Sequence, residues 1–320
     1  MNPSLVILCP GQGAQAVGMG QAWASSSTEA RTVFDAADRL LGDRLGLRLS
    51  TLCFEGPADR LNQTDASQPA IYTASVASYR ALLAKRNLGA NDGFLAATLG
   101  LSLGEYTALH LAGAITFEDG LELVTLRGRA MQDAADSPQA REGGGGAMLA
   151  LIGASEEQAL TICDQARAGQ VLVCANFNAQ GQIVLSGHRQ ACERAAAVAG
   201  GMGLRATMLP VAGAFHSPLM AQAAERLAAA LEKTPIQPPR CTVISNVTAQ
   251  PHEPDPTSIR RRLVEQLTSP VRWSQSCLNL GTFLPSGVQP EYIELAPGKT
   301  LAGLYRRIDK NIKVTPNDAP

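Results

Sequence analysis

The sequence has few of the features that mark nucleic-acid-binding, membrane and secreted proteins. Its 320 residues hold 27 Lys and Arg against 28 Asp and Glu, and the net charge of -1 argues against a nucleic-acid footprint or a polybasic membrane surface. No apolar run reaches the roughly 20 residues that span a bilayer. The start of the chain has no basic leading region of the signal-peptide type. We therefore expect a cytoplasmic protein that binds neither nucleic acid nor membrane.

Patterned cysteine is also lacking. The seven cysteines, an odd number, form no C-x-x-C pair, and the four histidines are far apart in the sequence. Scattered, unpaired cysteines are typical of reduced thiols buried as small apolar side chains. We therefore predict reduced cysteines and no metal site.

The chain is instead rich in the residues that build a soluble core. Hydrophobic residues make up 45% and charged residues 17%, values typical of a globular protein. The length suits one large domain, or a large domain with a smaller insertion. An apolar strand at residues 5–9 comes first, followed by a glycine-rich loop.

The most informative stretch is the turn around Ser102. An apolar run at residues 94–99 predicts a buried strand, and residues 103–111 are rich in helix formers. Between them, Gly100 and Gly104 flank Ser102 in the G-x-S-x-G pattern of a nucleophile elbow, a sharp turn that leaves little room for larger side chains. An ordinary strand-to-helix turn with a solvated serine would fit the same pattern.

A change of organisation follows the four glycines at positions 143–146. The next 65 or so residues predict the order βαββαβ of a ferredoxin-like unit. An Asn-, Gln- and Gly-rich turn is expected between its second and third strands. The predicted elements are strands at 147–152, 171–175, 182–186 and 205–209, with helices at 155–167 and 189–202. We predict an α/β core with a mostly parallel sheet at residues 1–142 and 211–320, and an inserted small subdomain at residues 146–210.

Two polar residues stand out from their surroundings. Arg127 lies in an otherwise small or apolar stripe of a helix, so it must reach solvent, pair with a carboxylate or face a polar cavity. His216 precedes Ser217, a good N-cap residue, and so falls on a loop before a helix. This location suits a catalytic base, although a structural histidine remains an alternative.

Two further predictions concern helix and strand ends. Pro69 is expected at the first position of a helix over residues 69–83, where its missing N–H costs nothing. The tail from Thr315 is expected to fray.

The chain order of serine and then histidine is that of α/β-hydrolase-like enzymes, and no acidic third member stands out. Over nearly its whole length the sequence resembles the malonyl-CoA:acyl-carrier-protein transacylases. The motifs that carry this resemblance are PGQGAQ at 10–15, GLSLGE at 100–105, RGRAMQ at 127–132, NFN at 176–178, GAFHS at 213–217, SNV at 245–247, QL at 266–267, PVRW at 270–273 and PGK at 297–299.

The resemblance implies roles for five residues of the catalytic machinery. Ser102 would accept the acyl group, and His216 would be its base and later the acid for the departing thiolate. Gln266 would orient His216 through its main-chain carbonyl. The backbone N–H groups of Gln12 and Leu103 would form the oxyanion hole.

The resemblance also implies how the substrate is held and where this chain departs from its relatives. Arg127 would bind the free malonyl carboxylate through both ends of its planar fork, and Asn178 would lie next to the site. Many family members have histidine at the position of Leu101 and serine at that of Ala14. Because leucine occurs at the first of these positions in relatives, we do not interpret Leu101 as inactivation, but it could alter rate or acyl preference.

The function implied is malonyl transfer from malonyl-CoA to the phosphopantetheine thiol of acyl carrier protein, through a malonyl-serine, in fatty-acid biosynthesis. No cofactor besides the malonyl-CoA substrate is implied, and a monomer is expected. The alternatives are a serine hydrolase or thioesterase, a malonyl acyltransferase of polyketide synthesis or malonate decarboxylation, and a non-enzymatic docking relative. A non-enzymatic relative should have lost Ser102, Arg127 or His216, yet all three are present.

Overall fold

The computed structural model describes residues 4–89, 92–211, 213–284, 287 and 289–320, so Met1–Pro3, at the start of the predicted core, lie outside the described residues. The strands are β1 (Leu5–Cys9), β2 (Leu95–Gly100), β3 (Gly146–Ile152), β4 (Leu172–Ala179), β5 (Gln182–His188), β6 (Arg205–Met208), β7 (Thr242–Ile244), β8 (Glu291–Leu295) and β9 (Val314–Asn317). The helices are α1 (Gln21–Ser26), α2 (Thr28–Leu41), α3 (Leu49–Glu55), α4 (Ala58–Leu61), α5 (Thr64–Arg86), α6 (Gly104–Leu111), α7 (Phe117–Ala135), α8 (Pro138–Arg141), α9 (Glu156–Ala166), α10 (Arg189–Gly201), α11 (Ala221–Leu231), α12 (Pro256–Glu265), α13 (Trp273–Phe283) and α14 (Thr300–Ile308).

The larger layer is a parallel sheet in the order β7-β2-β1-β8-β9. Every residue of β1 is buried because helices cover both faces of the sheet. Leu5 and Ile7 pack into the main core on one face, while Val6 and Leu8 pack into a second cluster on the other. The predicted α/β core with a mostly parallel sheet is confirmed.

The chain end does not fray as predicted. β9, which includes Thr315, adds to the parallel sheet beside β8 and extends its edge. The Trp23 indole N–H also donates to the Asn317 carbonyl, at 3.3 Å. Backbone pairing with β8 holds this segment although its own sequence is polar, and no local pattern signals that pairing.

The smaller layer is an antiparallel sheet in the order β4-β5-β3-β6, with α9 and α10 packed on it. The element order β3-α9-β4-β5-α10-β6 confirms the predicted βαββαβ arrangement. Most of its apolar side chains form a cluster of their own, while Met148, Ala175 and Val184 join the main core. Whether the boundaries at residues 146–210 delimit a domain stays a prediction. The expected turn is shorter than predicted, because β4 continues to Ala179 and takes Asn178 into the strand.

Pro69 lies inside α5, and its placement at the helix start was wrong. The Gln63 carbonyl already accepts hydrogen bonds from the N–H groups of Ala66 and Ser67, so the helix starts one turn earlier. The consequence is that Gln68, which precedes the proline, is a fully buried helical residue. Within the described residues, no helix is long and apolar enough to cross a membrane.

Candidate active site

Ser102 lies at the tip of a turn that requires glycine on both sides. A Cβ at Gly100 would lie 1.9 Å from the Gly104 carbonyl carbon, and one at Gly104 would lie 2.1 Å from the Cys9 carbonyl oxygen. Ser102 itself has φ of 53°, in the left-handed region that non-glycine residues rarely adopt. A strained residue between two obligatory glycines is typical of a nucleophile elbow.

Asn246, which follows β7, holds this elbow in place. Its Oδ1 accepts from the Ser102 N–H at 2.6 Å, and its Nδ2 donates to the Gly100 carbonyl at 2.7 Å. One side chain therefore provides a hydrogen-bond partner for both the Ser102 N–H and the Gly100 carbonyl of the strained turn. Sequence reasoning assigned no role to Asn246, although it belongs to the SNV motif. Its position directly after a short strand is the feature that could have pointed to it.

His216 is placed to act as a base on Ser102. Its Nε2 lies 2.7 Å from the Ser102 Oγ, and its Nδ1 lies 2.7 Å from the Gln266 main-chain carbonyl oxygen. Because a carbonyl only accepts, Nδ1 carries the proton and Nε2 is free to take one from the serine. Burial, with a smaller contribution from the Arg127 charge, lowers the pKa of His216 to about 4. The imidazole is therefore neutral at pH 7.

Arg127 faces the same point from α7. Its Nη2 donates to the Ser102 Oγ and to the Gln266 Oε1, each at 3.0 Å, and its Nη1 donates to the Gln68 Oε1 at 2.8 Å. The side chain is fully buried, and burial lowers the pKa of its guanidinium. Among the described residues, it forms no ion pair with a carboxylate, and its Nε has no partner. Of the three environments considered for Arg127, its burial excludes solvent and its described contacts include no carboxylate, so it faces a polar site formed by Ser102, Gln68 and Gln266.

Gln68 is a contact of Arg127 that sequence reasoning missed. It comes from α5, which approaches α7 closely because a Cβ at Gly128 would lie 2.6 Å from the Thr64 carbonyl oxygen. The sequence feature that could have pointed to Gln68 is its position directly before Pro69. Because the helix was predicted to start at Pro69, Gln68 was placed outside it.

The two backbone donors predicted for the oxyanion hole lie on loops that meet at the elbow. The loop after β1 packs against the turn, since the Leu101 N–H donates to the Cys9 carbonyl and a Cβ at Gly11 would lie 2.3 Å from the Leu101 carbonyl oxygen. Across the described ranges, the N–H groups of Gln12 and Leu103 donate to no protein acceptor. Both are available to a ligand, while the Ser102 N–H is already used.

Asn178 is brought near the core by a short contact between the two layers. The Phe177 N–H donates to the Val271 carbonyl and the Val271 N–H donates to the Ala175 carbonyl, at 2.9 and 2.8 Å. The Oδ1 of Asn178 is buried without a hydrogen-bond partner within the described part of the chain. No hydrogen bond to Ser102, His216 or Arg127 involves it there, so its role stays a prediction.

Sequence reasoning also missed an acidic residue close to the nucleophile. Glu105, three residues after Ser102, is fully buried, and its carboxylate contacts the Gln266 side chain at 2.6 Å and His252 at 2.7 Å. It is not a third member behind His216, whose Nδ1 is taken by the Gln266 carbonyl. The sequence feature that could have pointed to Glu105 is a carboxylate in a largely apolar helix. In the described ranges, no group of three or more His, Cys, Asp or Glu side chains could hold a metal ion.

Comparison with known proteins agrees with this geometry. Residues 6–302 match the family described as acyl transferase domain. The chain is 40% identical, over 300 residues, to the malonyl CoA-acyl carrier protein transacylase of Escherichia coli (strain K12), covering 93% of this chain and 91% of the relative.

Solved structures agree as well. The malonyl-CoA:acyl carrier protein transacylase of Xanthomonas oryzae pv. oryzae superposes with a TM-score of 0.89 at 38% identity, covering 99% of this chain and 95% of that one. A malonyl-transacylase in complex with its type II PKS acyl-carrier protein superposes with a TM-score of 0.89 at 34% identity, covering 99% and 96%. The chain therefore belongs to the acyl transferase domain family and, within it, to the malonyl-CoA:acyl-carrier-protein transacylases that its sequence resembles.

Proposed function

We propose that this chain transfers a malonyl group from malonyl-CoA to the phosphopantetheine thiol of acyl carrier protein through a malonyl ester on Ser102. The observation that carries the proposal is Arg127, a buried guanidinium beside the nucleophile with no carboxylate partner among the described residues. Burying such a charge unpaired is costly, so the site is built to receive an anion. The free carboxylate of a malonyl thioester supplies that anion at a fixed distance from its thioester carbonyl.

The first half of the reaction acylates Ser102. The Ser102 Oγ attacks the thioester carbonyl while its proton passes to the His216 Nε2. The N–H groups of Gln12 and Leu103 stabilise the oxyanion, each contributing about 3–4 kcal/mol in the transition state. The C–S bond then breaks, and His216 returns its proton to the departing CoA sulfur.

The second half repeats these steps in reverse with a new thiol. His216 takes the proton of the pantetheine thiol, whose sulfur attacks the malonyl-serine carbonyl. The C–O bond to Ser102 breaks, and the serine oxygen recovers its proton from His216. Exchange of one thioester for another is nearly balanced in energy, so a serine and a histidine suffice without a carboxylate directly behind the histidine.

The setting of this activity follows from the resemblance. We propose that the chain acts as a cytoplasmic monomer in fatty-acid biosynthesis and needs no cofactor, with malonyl-CoA as its substrate. The similarity to a malonyl-transacylase of a type II PKS carrier protein supports a polyketide carrier as a second acceptor. Asn178, whose buried Oδ1 has no hydrogen-bond partner among the residues that the structure describes, would bind the substrate from the antiparallel sheet.

The test follows the acyl group. Wild-type protein incubated with malonyl-CoA should gain one malonyl group by intact mass, and Ser102→Ala should gain none. A chase with holo carrier proteins of the two pathways should remove the group and load the carrier. Release to water at the same rate with or without a carrier would instead indicate a thioesterase.

Arg127 is tested through the charge of the substrate. Arg127→Ala should lose at least about a hundredfold in kcat/KM for malonyl-CoA, since a bidentate charged contact is removed, while keeping most of its reaction with acetyl-CoA. Arg127→Lys should restore only part of the loss, because lysine cannot form the planar fork. Equal losses with both thioesters would contradict the carboxylate-binding role.

A further inference from the structure

Glu105 lies behind the elbow and is fully buried, and its hydrogen-bond partners among the described residues are all donors. Its Oε1 accepts from the His252 Nε2 at 2.7 Å. Its Oε2 accepts from the Gln266 Nε2 at 2.6 Å and from the Asn246 main-chain N–H at 3.2 Å. His252, whose side chain is 1% exposed, thus fixes one oxygen of the carboxylate while the other faces the site.

The carboxylate decides which way the Gln266 amide points. Because Glu105 accepts and does not donate, the NH2 end of the amide must face it, and this end also donates to the Ser102 carbonyl at 3.0 Å. The oxygen end is then turned toward Arg127, whose Nη2 donates to it at 3.0 Å. If the amide were reversed, the Gln266 NH2 group would face the Arg127 Nη2, and both groups are hydrogen-bond donors.

The amide also keeps the negative charge of Glu105 away from direct contact with Arg127. The two side chains form no ion pair in the described structure, although the Glu105 charge counters the effect of burial on the pKa of Arg127. A direct ion pair would occupy the donors that the substrate carboxylate needs. Within the described residues, the contacts of Arg127 with Gln68, Ser102 and Gln266 use three of its five N–H donors and leave the Nε–H and one Nη1 N–H for a ligand.

We propose that Glu105, held by His252, is a positioning residue that sets the preference for a carboxylated acyl group by orienting the Gln266 amide toward Arg127. This inference rests on the proposed function. It concerns the Gln266 side chain alone. The main-chain carbonyl of Gln266, which accepts from His216, lies in the peptide unit whose N–H, that of Leu267, donates to the Val264 carbonyl. Glu105 should therefore affect malonyl selectivity more than the basic chemistry.

The sign of the effect separates positioning from simple electrostatics. If Glu105 acted only through its charge, its removal would leave a more positive site and would raise the preference for malonyl over acetyl. Positioning predicts the opposite. Without the carboxylate, the NH2 end of the Gln266 amide keeps only its bond to the Ser102 carbonyl, so the amide holds the Arg127 guanidinium less firmly.

The experiment measures kcat/KM for malonyl-CoA and acetyl-CoA on the full chain and compares their ratio. Glu105→Met should lower the ratio about tenfold, chiefly through KM for malonyl-CoA. Glu105→Gln keeps an acceptor oxygen for the Gln266 NH2 and should restore most of the ratio. His252→Leu, a milder change, should lower it about threefold. Equal ratios for Glu105→Met and Glu105→Gln, or a rise in either, would overturn the proposal.

Two further variants complete the test. Gln266→Met combined with Glu105→Met should have the same ratio as Gln266→Met alone, and additive losses would contradict action through the amide. Glu294→Met is the matched control: Glu294 is equally buried but accepts from the N–H groups of Leu301 and Ala302 at the start of α14. Glu294→Met should lose stability and keep the malonyl-to-acetyl ratio of kcat/KM.

A wild-type protein without malonyl preference would refute the proposed function, whereas an intact preference in Glu105→Met would refute this inference alone.

Discussion

The two sheets of this protein contribute unequally to the site, and their strand directions explain why. In the parallel sheet, the carboxyl ends of neighbouring strands lie at one edge. The loop with Gln12 follows β1, Ser102 follows β2 and Asn246 follows β7, so three distant segments meet there. Arg127 and His216 reach the same edge from α7 and from the loop before α11.

The antiparallel sheet cannot gather residues in this way, because successive strands end at opposite edges. It has its own apolar cluster, but Met148, Ala175 and Val184 join the main core, and the backbone of β4 also bonds to Val271. Asn178 is the one predicted site residue that it carries. We infer that the parallel sheet supplies the chemistry and the antiparallel sheet supplies a wall for the substrate. The predictions below test this division, from the largest expected effect to the smallest.

His216→Ala should show the largest loss, because it removes the proposed base from the edge of the parallel sheet. We expect the rate of Ser102 acylation by malonyl-CoA to fall about a thousandfold. His110→Gln is the matched control, since His110 is also buried but bonds to the Ile115 carbonyl. An equal rate loss in the control would mean that fold damage, and not loss of the base, explains the result.

Asn246→Ala should show the next largest loss. The variant leaves the Ser102 N–H and the Gly100 carbonyl without partners, so we expect 10- to 100-fold slower acylation and a free energy of unfolding lower by about 1–3 kcal/mol. Asn279→Ala, which removes a single bond to the Ala249 carbonyl, provides the comparison. Stability lost with the acylation rate unchanged would show that the turn does not need its side-chain support.

The pH dependence of kcat/KM tests whether the His216 imidazole is buried or exposed. Because burial lowers the pKa of His216 to about 4, kcat/KM should stay level from pH 8 to 5 and fall about tenfold per unit below 4. The unfolded chain takes up this proton near pH 6.5, so the free energy of unfolding should decrease as pH falls from about 6.5 to 4. Activity that halves near pH 6.5 would indicate an exposed imidazole.

Asn178→Ala should have the smallest effect, confined to substrate binding. We expect a severalfold increase in KM for malonyl-CoA with kcat nearly unchanged, because the variant loses a neutral hydrogen bond from the wall and no reacting group. Leu151→Ala, a change in the apolar cluster of the same sheet, should lower stability by about 2–5 kcal/mol with KM unaffected. A large loss of kcat in Asn178→Ala would contradict the inference that the antiparallel sheet only contacts the substrate and supplies no reacting group.

The sequence predicted much of the fold because local patterns carried it. The glycines beside Ser102, the apolar strands and the βαββαβ order are all readable within short windows. Of its two errors, one fell where a distant contact overrides local preference, because the polar tail at Thr315 is ordered by pairing with β8. The other was local, because α5 begins one turn before Pro69, with the Gln63 carbonyl as its first acceptor.

The sequence by itself determined the residue types of the site: a serine between two glycines, a histidine before a helix, and an arginine in a small-residue stripe. Only the tertiary structure decided their partners. It left Arg127 without a carboxylate in the described residues, and it placed the Gln266 amide between Arg127 and Glu105. The physical reason is that a hydrogen-bond network depends on distances between residues far apart in the chain, and no local pattern encodes those distances.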